Sequence, residues 1–286
     1  MTRSDRDPLL IELAGICNNG CRFCSQGPAR REPVAEHEPA PAVAERLEAA
    51  GGMGSDVMFV GGEPTLLDEL PKWIAQARAL NYRHIGLQTN GRRLAYRAYS
   101  EGLVAAGLTH LEVSLHGTGA AMHDYHTRVP GSFKQTASGI QVGRRLGLTV
   151  TVTTVMTRSN YRHLPEFVDV LKYLGVTSWH LSKVHPSGDA EPIHSQLSPP
   201  WEMLRPHMER ARVKAEASRI SLVTSGLPDC VQMFERSPIG WPAESSEQPC
   251  EVCGLAPCTS VEGVSHEPAS GNVMLGGMGL ARYQEP

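Results

Sequence analysis

Short β-rich runs alternate with amphipathic helical segments along most of this chain, and that alternation restricts the fold more than any other feature. The β-rich runs cover residues 9–13, 56–60, 84–88, 110–115, 149–156 and 178–182. Between them, 66–80, 94–106, 132–146 and 164–174 carry apolar residues at helical spacing. Repeats of this kind build parallel sheets through right-handed crossovers. Several runs are nearly continuous in apolar residues, as in strands covered on both faces. Six units fall short of the eight that close a full barrel. The expected fold is therefore α/β, an open partial (β/α)6 barrel with its chemistry on loops at the C-terminal ends of the strands.

The pattern changes after the sixth unit. Residues 187–200 are rich in Pro, Ser and Gly and read as a linker. A helix is expected over 202–219 and a short strand over 220–224, and from 226 onward the sequence is irregular. The expected division is a core over 1–190 and a small C-terminal extension over 191–286. The four cysteines in that extension suggest that a metal or cluster organises it.

With 286 residues, the chain can bury about three quarters of the surface that it exposes when unfolded, so it needs no disulfides to fold. Its formal net charge of −3 provides no basic footprint for nucleic acid. The polar start, Met1-Thr-Arg-Ser-Asp-Arg-Asp, lacks the apolar core of a signal peptide, and no apolar run reaches the length of a membrane span. The expectation is a cytoplasmic protein whose thiols stay reduced and serve as ligands or reactive groups. Three of its seven cysteines lie near the start and four after residue 229.

The first three form Cys17-Asn-Asn-Gly-Cys21-Arg-Phe-Cys24, directly after the first strand. Closely spaced thiolates select an iron–sulfur cluster or zinc. Three ligands leave one metal position open. Asn18, Asn19 and Gly20 tolerate the left-handed backbone that a loop wrapping a cube of atoms requires. Three further motifs end successive strands: Gly61-Gly62-Glu63-Pro64, Thr89-Asn90-Gly91 and Ser114-Leu115-His116-Gly117. Each alone reads as a turn.

Together, in this order, these motifs resemble the radical S-adenosylmethionine (SAM) superfamily over about residues 8–190. The resemblance implies that Cys17, Cys21 and Cys24 hold a [4Fe–4S] cluster whose open iron is chelated by the methionine moiety of SAM. Gly61, Gly62 and Glu63 would receive its amino group, with Glu63 offering a carboxylate to the ammonium. Thr89 and Asn90 are further cofactor contacts, and Ser114 lies near the cofactor carboxylate. An electron from the cluster would then cleave the sulfonium to give a 5′-deoxyadenosyl radical, the cofactor carrying the difficult step. Val155 and Leu181 either pack around the adenine or are plain core.

The late cysteines, Cys230 and the group Cys250-Glu-Val-Cys253-Gly-Leu-Ala-Pro-Cys258, resemble the SPASM or twitch extensions that carry auxiliary [4Fe–4S] clusters, with cysteines enough for one cluster. A four-thiolate zinc site is the alternative. In a third allocation Cys230, Cys253 and Cys258 hold the cluster and Cys250, after the Pro-rich 238–249, returns a hydrogen atom to a substrate radical. His116, His123, Asp124, His126 and Arg128 follow the fourth strand. His116 and Asp124 are candidate substrate contacts, whereas His123 and His126 fit a solvated surface equally well.

The cluster loop begins at residue 17, which leaves no room here for a leader-peptide-binding domain before it. That favours a small-molecule substrate over a peptide. The layout resembles the epimerases and dehydrogenases of aminoglycoside biosynthesis, neomycin C epimerase in particular. The expected function is inversion of a sugar carbon on a polyamine sugar, with Asp124, Asp189 and Glu191 near its amines. A flavodoxin or ferredoxin would supply electrons. A peptide maturase and an aminocyclitol dehydrogenase are the alternatives.

Overall fold

The computed structural model describes residues 8–13, 15–27, 40–52 and 55–227. Cys230, Cys250, Cys253 and Cys258, and with them the expected auxiliary cluster, lie outside the described residues.

Seven strands form one sheet: β1 (Leu9–Glu12), β2 (Asp56–Val60), β3 (His84–Thr89), β4 (His110–Ser114), β5 (Thr149–Met156), β6 (Ser178–Lys183) and β7 (Ser221–Ser225). They pair in sequence order, every pair parallel. The connections carry α1 (Ala40–Ala49), α2 (Leu70–Ala79), α3 (Arg97–Ala106), α4 (Ala120–Thr127), α5 (Ser132–Arg145), α6 (Leu164–Leu174), α7 (His194–Leu197) and α8 (Trp201–Ala217). Right-handed crossovers in strictly sequential order put α1, α2, α3, α5, α6 and α8 on one face of the sheet, where their buried side chains share one core. A sheet covered on one face in this way curls into the open barrel that the sequence predicts.

Alternation along the strands sorts the two faces. Ile11, Val57, Phe59, Leu87, Leu111, Val113, Val152 and Trp179 turn toward the helices and are buried in one continuous core. α6 shows how a helix meets that core. Leu164, Phe167, Val168, Leu171 and Leu174 form its buried stripe, and Phe167 stacks on Trp179 at 5.7 Å. Gly175 closes the helix with a positive φ, and its N–H donates to the Leu171 carbonyl.

The sheet continues past residue 190. The strand expected within the C-terminal extension is β7, which pairs with β6 from Ser178–Ser221 to Ser182–Ser225. The helix before it, α8, packs on α6 through a face that includes Leu204, Met208 and Ala211. Among the described residues the barrel thus has seven strands where six were expected. The stretch read as a linker is ordered too: residues 188–193 form a 3-10 turn that leads into α7, and Ala190 is fully buried. Its Gly188 packs closely on the cysteine loop. Three helices, α1, α4 and the short α7, were not expected.

Candidate active site

The loop after β1 is held from three sides. The Gly20 N–H donates to the Thr127 carbonyl at the end of α4 (2.8 Å), and the Asp189 N–H donates to the Cys24 carbonyl (2.9 Å). Between Cys21 and Cys24, Phe23 is buried edge-on against His116, ring centroids 4.7 Å apart, and lies tilted against His126. At 188, where φ is +57°, a side chain would place its Cβ 2.4 Å from the carbonyl oxygens of Cys24 and Ser25. Only glycine permits that approach.

Cys17, Cys21 and Cys24 are half-buried. Burial pushes the Cys17 thiol up to about 11, partly offset by the Asn19 N–H. That N–H donates to Sγ at 3.4 Å and the Asn90 amide approaches it at 3.9 Å. A thiol in such a site ionises when a cation is bound. Three thiols on one loop with amide donors therefore fit an iron–sulfur cluster, in which each thiolate takes a different iron.

The second motif packs against this loop. Gly61 has φ +135°, and the Glu63 N–H donates to the Ile16 carbonyl at 2.8 Å. A Cβ at 62 would lie 2.3 Å from that same carbonyl oxygen and 2.5 Å from that of Gly15. Gly62 is thus required by packing against the cysteine loop itself. Glu63 is fully buried. Its Oε1 accepts from the Thr65 N–H (3.2 Å), the Thr65 hydroxyl (2.6 Å) and the Thr89 hydroxyl (2.6 Å), and its Oε2 from the Asn90 N–H (2.6 Å). Burial raises its pKa and these donors pull it back. The carboxylate expected on the cofactor ammonium is instead turned into the protein, where it ties the ends of β2 and β3 together.

Asn90 carries the connection onward. Its amide donates to Asn18 Oδ1 at 2.6 Å. Arg92, two residues later, donates to the Asn18 carbonyl (2.5 Å), Asn19 Oδ1 (3.0 Å) and Gln135 Oε1 (2.7 Å). Arg92 was not singled out in the sequence, where an arginine beside a turn is unremarked.

Ser114 ends β4 half-buried, in register with Thr153. The imidazoles after it form a buried group. The His116 N–H donates to His123 Nδ1 (3.1 Å), and His116 Nδ1 accepts from the Val155 N–H (3.3 Å). His126 Nδ1 pairs with the Met122 carbonyl (2.7 Å) and Nε2 with the Thr157 hydroxyl (2.8 Å). Burial lowers all three, His123 to about 4. His116 and His126 support Phe23, and His123 stacks on His116; with His123 and His126 buried, the solvated-surface reading of these two does not hold.

Asp124 is placed differently from expectation as well. Its Oδ1 accepts from the Ser132 hydroxyl and the Phe133 N–H (both 2.8 Å), and its Oδ2 from the Gly131 N–H (2.7 Å). Burial alone would raise its pKa, but these donors hold it below its ordinary value. It caps α5 from the neighbouring helix. Arg128 is exposed beside Gly20, and Glu191 is exposed on the turn before α7.

The strand face turned away from the helices carries groups that the sequence reading missed. Glu112 on β4, Thr153 on β5 and His180 on β6 form a buried set. Thr153 donates to Glu112, His180 Nδ1 lies 3.2 Å from Glu112 Oε1, and His180 Nε2 pairs with Ser225 on β7 at 2.8 Å. Alternation places Ser114, Thr151, Ser178 and Ser182 on this same face. The available signal was a carboxylate between two apolar residues, Leu111 and Val113, at the centre of the strand. Val155 shares this face and packs with Phe23, Val184 and Ala190. Leu181 has the opposite parity and lies fully buried in the helix-side core. Among the described residues no helix is long and apolar enough to cross a membrane.

Comparison with known proteins agrees with this arrangement. The sequence profile of the Radical SAM superfamily matches residues 11–182. The AdoMet-dependent heme synthase of Oleidesulfovibrio alaskensis is 28% identical over 190 residues, 65% of this chain and 47% of that protein. A probable GTP 3′,8-cyclase of Saccharolobus islandicus is 32% identical over 186 residues, 64% of this chain and 58% of that protein. The chain thus spans about half the length of the curated relatives that it matches. Among solved structures, Streptococcus suis SuiB bound to its precursor peptide SuiA superposes with a TM-score of 0.63 at 17% identity, covering 78% of this chain and 50% of SuiB. Methylornithine synthase gives 0.55 at 15% identity, covering 80% and 74%. With the family profile matched across β1 to β6, and cysteine and strand-end motifs brought together in space, the chain belongs to the radical SAM superfamily, whose members bind a [4Fe–4S] cluster and S-adenosylmethionine.

Proposed function

We propose that Cys17, Cys21 and Cys24 hold the cluster and that the chain inverts a carbon of an aminoglycoside or related amino sugar. The observation that carries the substrate class is the strand face opposite the helices, where Ser114, Thr151, Thr153, Ser178, Ser182 and Ser225 surround Glu112 and His180. Hydroxyls with one carboxylate and one imidazole suit a substrate rich in hydroxyl and amino groups. The bound cofactors supply a 5′-deoxyadenosyl radical that removes a hydrogen atom from a carbinol or amine-bearing carbon. Cys250 returns hydrogen to the other face of that carbon as a thiol. Its thiyl is restored by one electron and one proton, the electron coming from an acidic carrier such as flavodoxin or ferredoxin. Cys230, Cys253 and Cys258 serve as ligands of an auxiliary cluster in the segment beyond β7.

The test is turnover in deuterium oxide by anaerobically reconstituted enzyme with SAM, a reductant and a panel of aminoglycosides. A thiol donor exchanges with solvent, so the inverted sugar should gain one deuterium, and Cys250→Ala should make 5′-deoxyadenosine without it. Loss of auxiliary iron in that variant would make Cys250 a ligand instead. The likeness to SuiB, solved with a precursor peptide, favours a peptide substrate as the second reading. Turnover of peptides but of no sugar would establish it.

A further inference from the structure

Asn90 is 7% exposed and is fixed through every polar atom. Its N–H donates to Glu63 Oε2 (2.6 Å), and its carbonyl accepts from the Thr136 hydroxyl (2.8 Å). Its Oδ1 accepts from the Arg92 N–H (3.0 Å), and its Nδ2 donates to Asn18 Oδ1 (2.6 Å). The Arg92 contact decides the orientation of the amide. A backbone N–H only donates, so the atom facing it is the oxygen, and the NH2 group lies on the other side. One of its hydrogens goes to Asn18. The other faces Cys17 Sγ, 3.9 Å from the nitrogen.

We propose that Asn90 is a positioning residue that acts through Cys17, setting the potential of the cluster by a hydrogen bond to its sulfur. The inference rests on the reading of Cys17 as a cluster ligand. Hydrogen bonds to cluster sulfurs withdraw electron density and favour the more negative, reduced state, which raises the reduction potential. The surroundings of Cys17 make such a donor matter. Burial and the neighbouring Glu63 carboxylate both disfavour negative charge at this sulfur, and the Asn19 and Asn90 donors oppose them. Glu63 also holds the Asn90 backbone, so the carboxylate that would depress the potential positions the amide that raises it. The third motif thereby acts on the thiolate loop, and not only on the cofactor.

The experiment is an EPR-monitored redox titration of the reconstituted wild-type chain, Asn90→Ser, Asn90→Asp and Thr136→Val. A serine hydroxyl accepts from Arg92 but is too short to reach Cys17, so Asn90→Ser should titrate at a more negative potential. Asn90→Asp removes the donor and adds charge, and should titrate lower still. Thr136→Val loosens the Asn90 carbonyl while leaving the amide in place. It should melt earlier yet keep the wild-type potential. A wild-type potential in Asn90→Ser would overturn the proposal, as would an equal shift in Thr136→Val, which would point to general loosening. Folded Asn90 variants that take up no cluster would also overturn it, assigning the residue to assembly. Wild-type protein that gains no [4Fe–4S] signal would instead defeat the reading of Cys17, Cys21 and Cys24.

Discussion

Replacing Glu63 with Gln tests whether the second motif is built around an ionised carboxylate. Each oxygen of Glu63 faces a backbone N–H, Thr65 on Oε1 and Asn90 on Oε2. The Thr65 and Thr89 hydroxyls can rotate to accept, but the two backbone groups cannot. Whichever oxygen becomes NH2 therefore sets one N–H against another in a site with no exposure to water. A lost charge-assisted bond and one orphaned buried donor cost about 2–4 kcal/mol, less the relief from removing a buried charge. A net loss of about 2 kcal/mol lowers the melting temperature by about 4–8 °C in a protein of this size. Glu63→Ala leaves all four donors unpaired and should cost about 3–5 kcal/mol. Urea denaturation and thermal melting of the cluster-free protein read these losses directly. A Glu63→Gln protein as stable as the parent would refute the reasoning, because it would mean that the carboxyl is already protonated in the fold.

Other substitutions test other contacts. Gly62→Ala forces a Cβ onto two backbone carbonyls of the cysteine loop; it should cost at least about 2 kcal/mol and reduce iron uptake on reconstitution, while normal uptake would show that the loop yields freely. His123 is held near pKa 4, mainly by burial, against 6.5 for the free side chain. Its neutral form therefore stabilises the fold fully above about pH 6.5, and that stability, on the order of 3 kcal/mol, is lost progressively as the pH falls toward 4. Denaturation midpoints across pH 4–7 measure this, and His123→Phe should flatten the slope. Asp124→Asn weakens the cap on α5 by about 1 kcal/mol. An unchanged melting temperature together with weaker substrate binding would return Asp124 to the substrate pocket.

Much of the fold was legible because it depends on period. The run at 56–60 matches β2 because it is almost continuously apolar, and those at 149–156, 178–182 and 164–174 match β5, β6 and α6 because apolar positions recur at strand or helix spacing. Less periodic segments were not legible. α1 is built largely from Ala and Glu, and α4 buries His123, His126 and Thr127 where apolar residues would be expected. The turn at residues 188–193 looks like a linker because its glycine and alanine are small for packing reasons, and close packing leaves no periodic trace.

The motifs were legible as positions and less so as roles, and the reason is physical. A strand-end carboxylate can point to a ligand or into the protein, and only the donors around it decide which. At Glu63 four donors from this chain converge, so the charge joins two strand ends and does not face outward. At Asp124 three donors at the start of α5 engage a carboxylate that stays partly exposed. Most of the polar groups left facing the open side of the sheet are ones that no motif marks: Glu112, Thr153, His180, Ser178, Ser182 and Ser225. Alternation hides them, since every second residue of a buried parallel strand reads as core. The polar groups of β4 to β7 thus occupy the open face of the sheet, whereas the strand-end motifs at 61–64 and 89–91 pack against the cysteine loop and against each other.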